Sequence, residues 1–108
     1  MTEFASIRFN PTPELNPEGD TSLVWYTDPT SHACGGFWAS DDFAAPVEYT
    51  EAEFVTLLEG EVLLTDASGH SETYKAGDSF LIPAGFKGHW QTVKPVRKFF
   101  MIYEAKGL

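Results

Sequence analysis

The stretch EFVTLLEGEVLLTD (residues 53–66), followed by GDSFLIPAG (residues 77–85), decides how this chain folds. In the first, Glu59-Gly60 separates two apolar runs, and a glycine there can take the positive φ of a tight reversal, so the stretch predicts a β-hairpin. Following the alternation of side chains across that turn puts Glu53, Val55, Leu57, Val62 and Leu64 on one face. Phe54, Thr56, Leu58, Leu63 and Thr65 share the other. Both faces are substantially apolar, unlike a half-exposed sheet. One face is therefore expected to line a barrel, and the other to be covered by the N-terminal arm or a second subunit. In the second stretch, Gly77-Asp78 predicts a turn into a strand, and Pro83-Ala84-Gly85 a tight turn out of it.

Further short runs rich in Val, Phe, Tyr, Thr and Leu stand between Gly, Pro, Asp and Ser. They predict strands at 5–9, 22–27, 35–39, 46–49, 53–58, 61–66, 71–75, 79–82, 88–93 and 97–104. Turn signals about 8–12 residues apart are those of a β-sandwich or barrel. No segment sustains a helical period. Residues 10–20, NPTPELNPEGD, read as an extended arm. The expected organisation is an N-terminal strand and arm over 1–21 and a barrel over 22–108.

The 108 residues suffice for one core only. Apolar residues at 43% and charged residues at 21% give a globular composition. The net charge of −9 argues against nucleic acid and anionic membrane surfaces as partners. No apolar run is long enough to span a bilayer, and the N-terminus lacks the basic head and apolar stretch of a signal peptide. The single Cys34 excludes an internal disulfide and a cysteine-rich zinc site. A cytoplasmic protein is expected. No phosphate loop, serine-nucleophile elbow or dinucleotide fingerprint is present.

Gly60 and Gly77, with sixteen residues between them in an all-β pattern, form a two-part motif. With Gly36-Phe-Trp38, Val47-Glu-Tyr49, Pro83-Ala-Gly-Phe-Lys-Gly-His-Trp90 and Pro95-Val-Arg-Lys98 they resemble the cupins. The resemblance covers almost the whole chain. It points to the subgroup that includes the cupin domains of ureidoglycine aminohydrolase and the ethanolamine-utilisation cupin. It implies an all-β, double-stranded β-helix (jelly-roll) cupin barrel of RmlC-like type, with a pocket inside it. Metal-binding cupins carry two His and a Glu in the first motif and a His in the second. Those positions fall here on Val47, Tyr49, Glu53 and Gly88, so only Glu53 is a usual ligand. One carboxylate without an aligned imidazole makes a poor transition-metal site, and no metal cofactor is expected. Glu53 with His89 is the alternative metal pair, although parity turns His89 away from the face of Gly88 and Trp90.

Glu53 is thus a carboxylate among aromatics, with Tyr49 on the same face as its expected hydrogen-bond partner. That arrangement suits a general acid or base, or a purely structural Glu. Trp38, Val47 and Trp90 are expected to shape a ligand pocket. On the last strand Phe99, Met101 and Tyr103 form the more uniformly apolar face, and they are assigned to the pocket in preference to Lys98, Phe100 and Ile102. Lys87, Arg97 and Lys98 are candidate receivers of a ligand carboxylate or partners of acidic side chains. Cys34 reads as a buried inert thiol, His32 and His70 as solvated, and Asp41-Asp42 as a solvated turn. Two functions follow: an enzyme acting on a small polar, amino or ureido acid-like metabolite, or a non-catalytic module that senses a ligand or binds a protein. A homodimer is expected in either case.

Overall fold

A computed structural model of the chain describes residues 6–9 and 20–108. Seven strands follow one another: β1 (Thr21–Thr27), β2 (Ala33–Ser40), β3 (Ala44–Glu48), β4 (Ala52–Asp66), β5 (Ser71–Lys75), β6 (Ser79–Ile82) and β7 (Lys87–Tyr103). No helix occurs among the described residues. Residues 6–9 carry no strand where one was predicted, and residues 1–5 and 10–19, with most of the arm, lie outside the described residues.

All pairing is antiparallel, in the order β1-β2-β7-β4-β5, with β3 added to β7 and β6 to β4. The ladder between β4 and β7 runs from Ala52↔Tyr103 to Asp66↔Gly88 and organises the rest. The first half of β4 also holds β6 and the second half holds β5. The first half of β7 holds β3 and its second half holds β2. Each long strand therefore serves two layers. Val55 and Leu57 from one half of β4 meet Val62 and Leu64 from the other in a single core, joined by Phe80, Ile82, Trp90 and Val96. Each such side chain contributes about 1.5–3 kcal/mol when fully buried. This is the double-stranded β-helix expected of the motifs.

The predicted hairpin at Glu59-Gly60 is not formed. β4 runs through Gly60, and the true reversal follows Asp66, where Glu61–Thr65 pair back with Ser71–Lys75. Asp66 Oδ1 accepts hydrogen bonds from the amides of Ser68 (2.9 Å) and His70 (3.0 Å), which holds that reversal. Gly60 instead sits where the β4–β7 register slips, with φ at +92°. A Cβ there would lie 2.2 Å from the carbonyl oxygen of Pro95. Only glycine permits this bend, and Pro95, which cannot donate to a ladder, stands opposite it. The predicted break between residues 93 and 97 is likewise absent, because β7 continues through Pro95.

The faces are those the alternation predicts. Glu53, Val55, Leu57, Val62 and Leu64 are all buried, and Phe54 is exposed. At the second motif, Phe86 N donates to Pro83 O (3.2 Å), closing the expected turn. Gly85 N donates to Tyr49 O (2.7 Å) and Tyr49 N to Phe86 O (2.9 Å), so this turn pins Tyr49 in place. Outside the barrel, Phe9 packs edge-on against Trp25 and Phe99, with ring centroids 5.0 and 5.5 Å apart.

Candidate functional site

A cavity of about 330 Å³ opens between the layers. That lies at the lower end of the range for small-molecule sites. Its wall brings together Trp38 from β2, Val47 from β3, Tyr49 from the following turn, Glu53 from β4, and Trp90, Lys98, Phe100 and Ile102 from β7. Five of the expected site residues, Trp38, Val47, Tyr49, Glu53 and Trp90, thus share one wall.

Phe99, Met101 and Tyr103 do not, which corrects the assignment made for the last strand. Lys98 and Phe100 are the buried residues of that segment, while Met101 and Tyr103 are exposed and Phe99 packs under Phe9. The reason is that Lys98 has a partner inside. Its Nζ donates to Glu53 Oε2 at 2.6 Å, and both side chains are almost fully buried. The same Nζ lies 4.9 Å from the ring centroid of Trp38 and 4.7 Å from that of Trp90. The two indoles meet edge to face at 5.8 Å. A carboxylate and two π faces together replace the water that a buried ammonium loses.

Glu53 is consequently held by Lys98 and not by Tyr49. Burial first, and then the charges of Glu53 and Glu51, push the Tyr49 hydroxyl above its ordinary pKa, so it stays a protonated donor at neutral pH. Cys34 on β2 is half-buried. Burial, followed by Glu51 and Glu53, raises its thiol pKa, which favours the unreactive thiol form. Lys87 and Arg97 face acidic partners instead of the cavity: Glu48 at 3.5 Å and Glu59 at 3.4 Å. His70 is exposed beside Glu72 (3.0 Å), and Asp41 and Asp42 are exposed in their turn.

The positions where resembled barrels hold a metal do not fit one here. Val47 and Gly88 face each other across β3 and β7, and neither offers a donor atom. A Cβ on Gly88 would lie 1.9 Å from the carbonyl oxygen of Thr65, so no ligating side chain fits at that position without parting the strands. His89 is exposed on the opposite face of β7 from the buried Trp90, which removes the alternative pairing with Glu53. No group of three or more His, Cys, Asp or Glu suited to a metal occurs among the described residues. The carboxylate that remains accepts from the Lys98 ammonium through Oε2.

This chain belongs to the EutQ-like cupin domain family, whose model matches residues 31–100. Among solved structures it is similar to ethanolamine utilization protein Q of Salmonella typhimurium LT2, at 29% identity and a TM-score of 0.62. That match covers 69% of this chain and 60% of the Salmonella protein, so the chain spans less than two thirds of that relative. It is similar also to a DUF861 family protein of Thermotoga maritima, at 28% identity over 59% of this chain and 73% of that one, with a TM-score of 0.57. A cupin superfamily protein of Desulfitobacterium hafniense shares the fold over 93% of this chain and 99% of its own, at 13% identity and a TM-score of 0.72. No functionally curated protein matches the chain.

Proposed function

We propose that this cupin domain binds a small polar metabolite in its cavity and acts on it through Glu53 as acid or base. The observation that carries this reading is the buried Glu53–Lys98 pair on the cavity wall. A buried ion pair is often no more stabilising than well-packed apolar residues of the same volume. A barrel that needed only a filled core would gain nothing from one beside an open cavity. Tyr49, a protonated donor on the same wall, would orient the ligand. The resemblance to ureidoglycine aminohydrolase domains supports an amino or ureido acid-like compound. The single cysteine and acidic composition are compatible with a cytoplasmic setting.

Calorimetric titration across small amino and ureido compounds is expected to give saturable binding at one site per chain. Glu53→Gln keeps an acceptor for Lys98, so it should retain the fold and lose turnover. Undiminished turnover in that variant would sink the catalytic role, and saturable binding without turnover would favour the sensing module.

A second reading concerns assembly. Leu81, Phe54 and Met101 stand in one row across β6, β4 and β7, with Tyr103 two residues further along β7. Their exposures of 60%, 48%, 39% and 57% leave a contiguous apolar strip on the outer face. We propose that a second copy of the chain covers it. Sedimentation velocity at micromolar concentration should find a dimer that Phe54→Ser with Leu81→Ser converts to monomer. A monomeric parent protein removes this reading.

A further inference from the structure

We infer that the group this cavity recognises is a small organic cation, an alkylammonium, and not a carboxylate. The inference rests on the reading of the cavity as a ligand site and narrows it. Four carboxylates line the cavity, those of Asp20, Glu48, Glu51 and Glu53, against the one ammonium of Lys98. That ammonium is already engaged. One of its three N–H donors reaches Glu53 Oε2, and the indoles of Trp38 and Trp90 crowd it at less than 5 Å. An incoming carboxylate finds that ammonium already paired with Glu53 and meets a surplus of negative charge.

Acceptors, by contrast, are open. Glu53 is only 6% exposed, yet its Oε1 accepts no hydrogen bond among the described residues and belongs to the cavity wall. Nearer the mouth, Glu51 receives only the Thr50 hydroxyl, at 2.8 Å. Glu48 has a loose, exposed contact with Lys87 at 3.5 Å. A cation entering this cleft moves down the potential and ends against the accessible Oε1 of Glu53. The rings of Tyr49 and Phe100 supply apolar and π surface for its alkyl part. Of the amino and ureido compounds considered above, the charged amino ones are selected, because a ureido group is neutral.

The test uses three probes of similar shape: n-propylammonium, propionate and N-propylurea. Each is titrated into the isotope-labelled full chain at pH 7 and low salt, with the indole N–H signals of Trp38 and Trp90 followed by NMR. Propylammonium is expected to bind at least about tenfold more tightly than either other probe, a difference that one added charge contact supplies. Its affinity should fall as salt is added. Glu51→Gln, which leaves the Glu53–Lys98 pair in place, should weaken it by about threefold with the fold unchanged. Preference for propionate or propylurea overturns the cation inference and leaves the small-molecule reading standing. Unchanged affinity and salt dependence in Glu51→Gln also overturn it. Silence from all three probes ends the cation inference, and the broader amino and ureido panel then decides the binding reading by itself.

Discussion

Lys98→Met, with Glu53 left in place, is expected to cost about 3–5 kcal/mol of folding stability. The methionine nearly conserves volume and keeps contact with Trp38 and Trp90, so the loss reports the charge. Without the ammonium, Glu53 becomes a buried carboxylate that has lost its partner at 2.6 Å. A domain of this size has about 5–15 kcal/mol in total, so much of its stability would go. The companion variant Glu53→Leu with Lys98→Met should recover most of the loss, because it removes both charges together. Urea denaturation of the parent and the two variants measures this. A loss below about 1 kcal/mol for Lys98→Met would mean that cavity water solvates Glu53 and that the pair is not internal.

Gly60→Ala should be nearly as damaging, by a different route. The backbone at Gly60 has φ of +92°, which costs a side-chain-bearing residue about 1–2 kcal/mol. The added methyl would also stand 2.2 Å from Pro95 O, and relieving that overlap costs about 1–3 kcal/mol more. Gly69→Ala is the control. Gly69 has nearly the same φ, +91°, but nothing lies within 4 Å of its Cβ position. The backbone cost is then common to both, and the difference in denaturation midpoint isolates the close approach of β4 to β7. Equal losses for the two variants would show that the strands can part at the bend without penalty.

The same bend explains what could be read from the sequence and what could not. The inward set Val55, Leu57, Val62, Leu64 breaks strict alternation once, between Leu57 and Val62. A two-residue hairpin and a bulge inside a continuous strand break it identically. Side-chain pattern alone therefore assigned the faces correctly and the reversal wrongly. The deciding fact is tertiary: β7 lies against Gly60, and it comes from far along the chain.

On β7 the error was of another kind. Trp90, Val96, Lys98 and Phe100 are all buried and all fall on even positions. Carrying the phase of Trp90 through Pro95 would have turned Lys98 inward. The strands predicted at 88–93 and 97–104 share no phase, uniform apolarity favours the Phe99 face, and lysine is among the residues least often buried. The signal was present, since Glu53 on the inner face needed a cation and Lys98 shares its parity with Trp90. Trp38, Val47, Tyr49 and Trp90 were legible because each follows from a motif turn or an unbroken alternation.

The pairing of Glu53 with Lys98 joins positions 45 residues apart at the end of the β4–β7 ladder remote from Asp66 and Gly88. Loop closure favours the short-range end of such a ladder, and each added rung shortens the chain left to close. Zipped in that order, the inner salt link comes late, after the bend at Gly60 has been set. A one-residue slip would by then aim Lys98 outward and leave Glu53 alone in the interior. The two charges thus satisfy each other only in the observed strand alignment, the same alignment that brings both to the cavity wall.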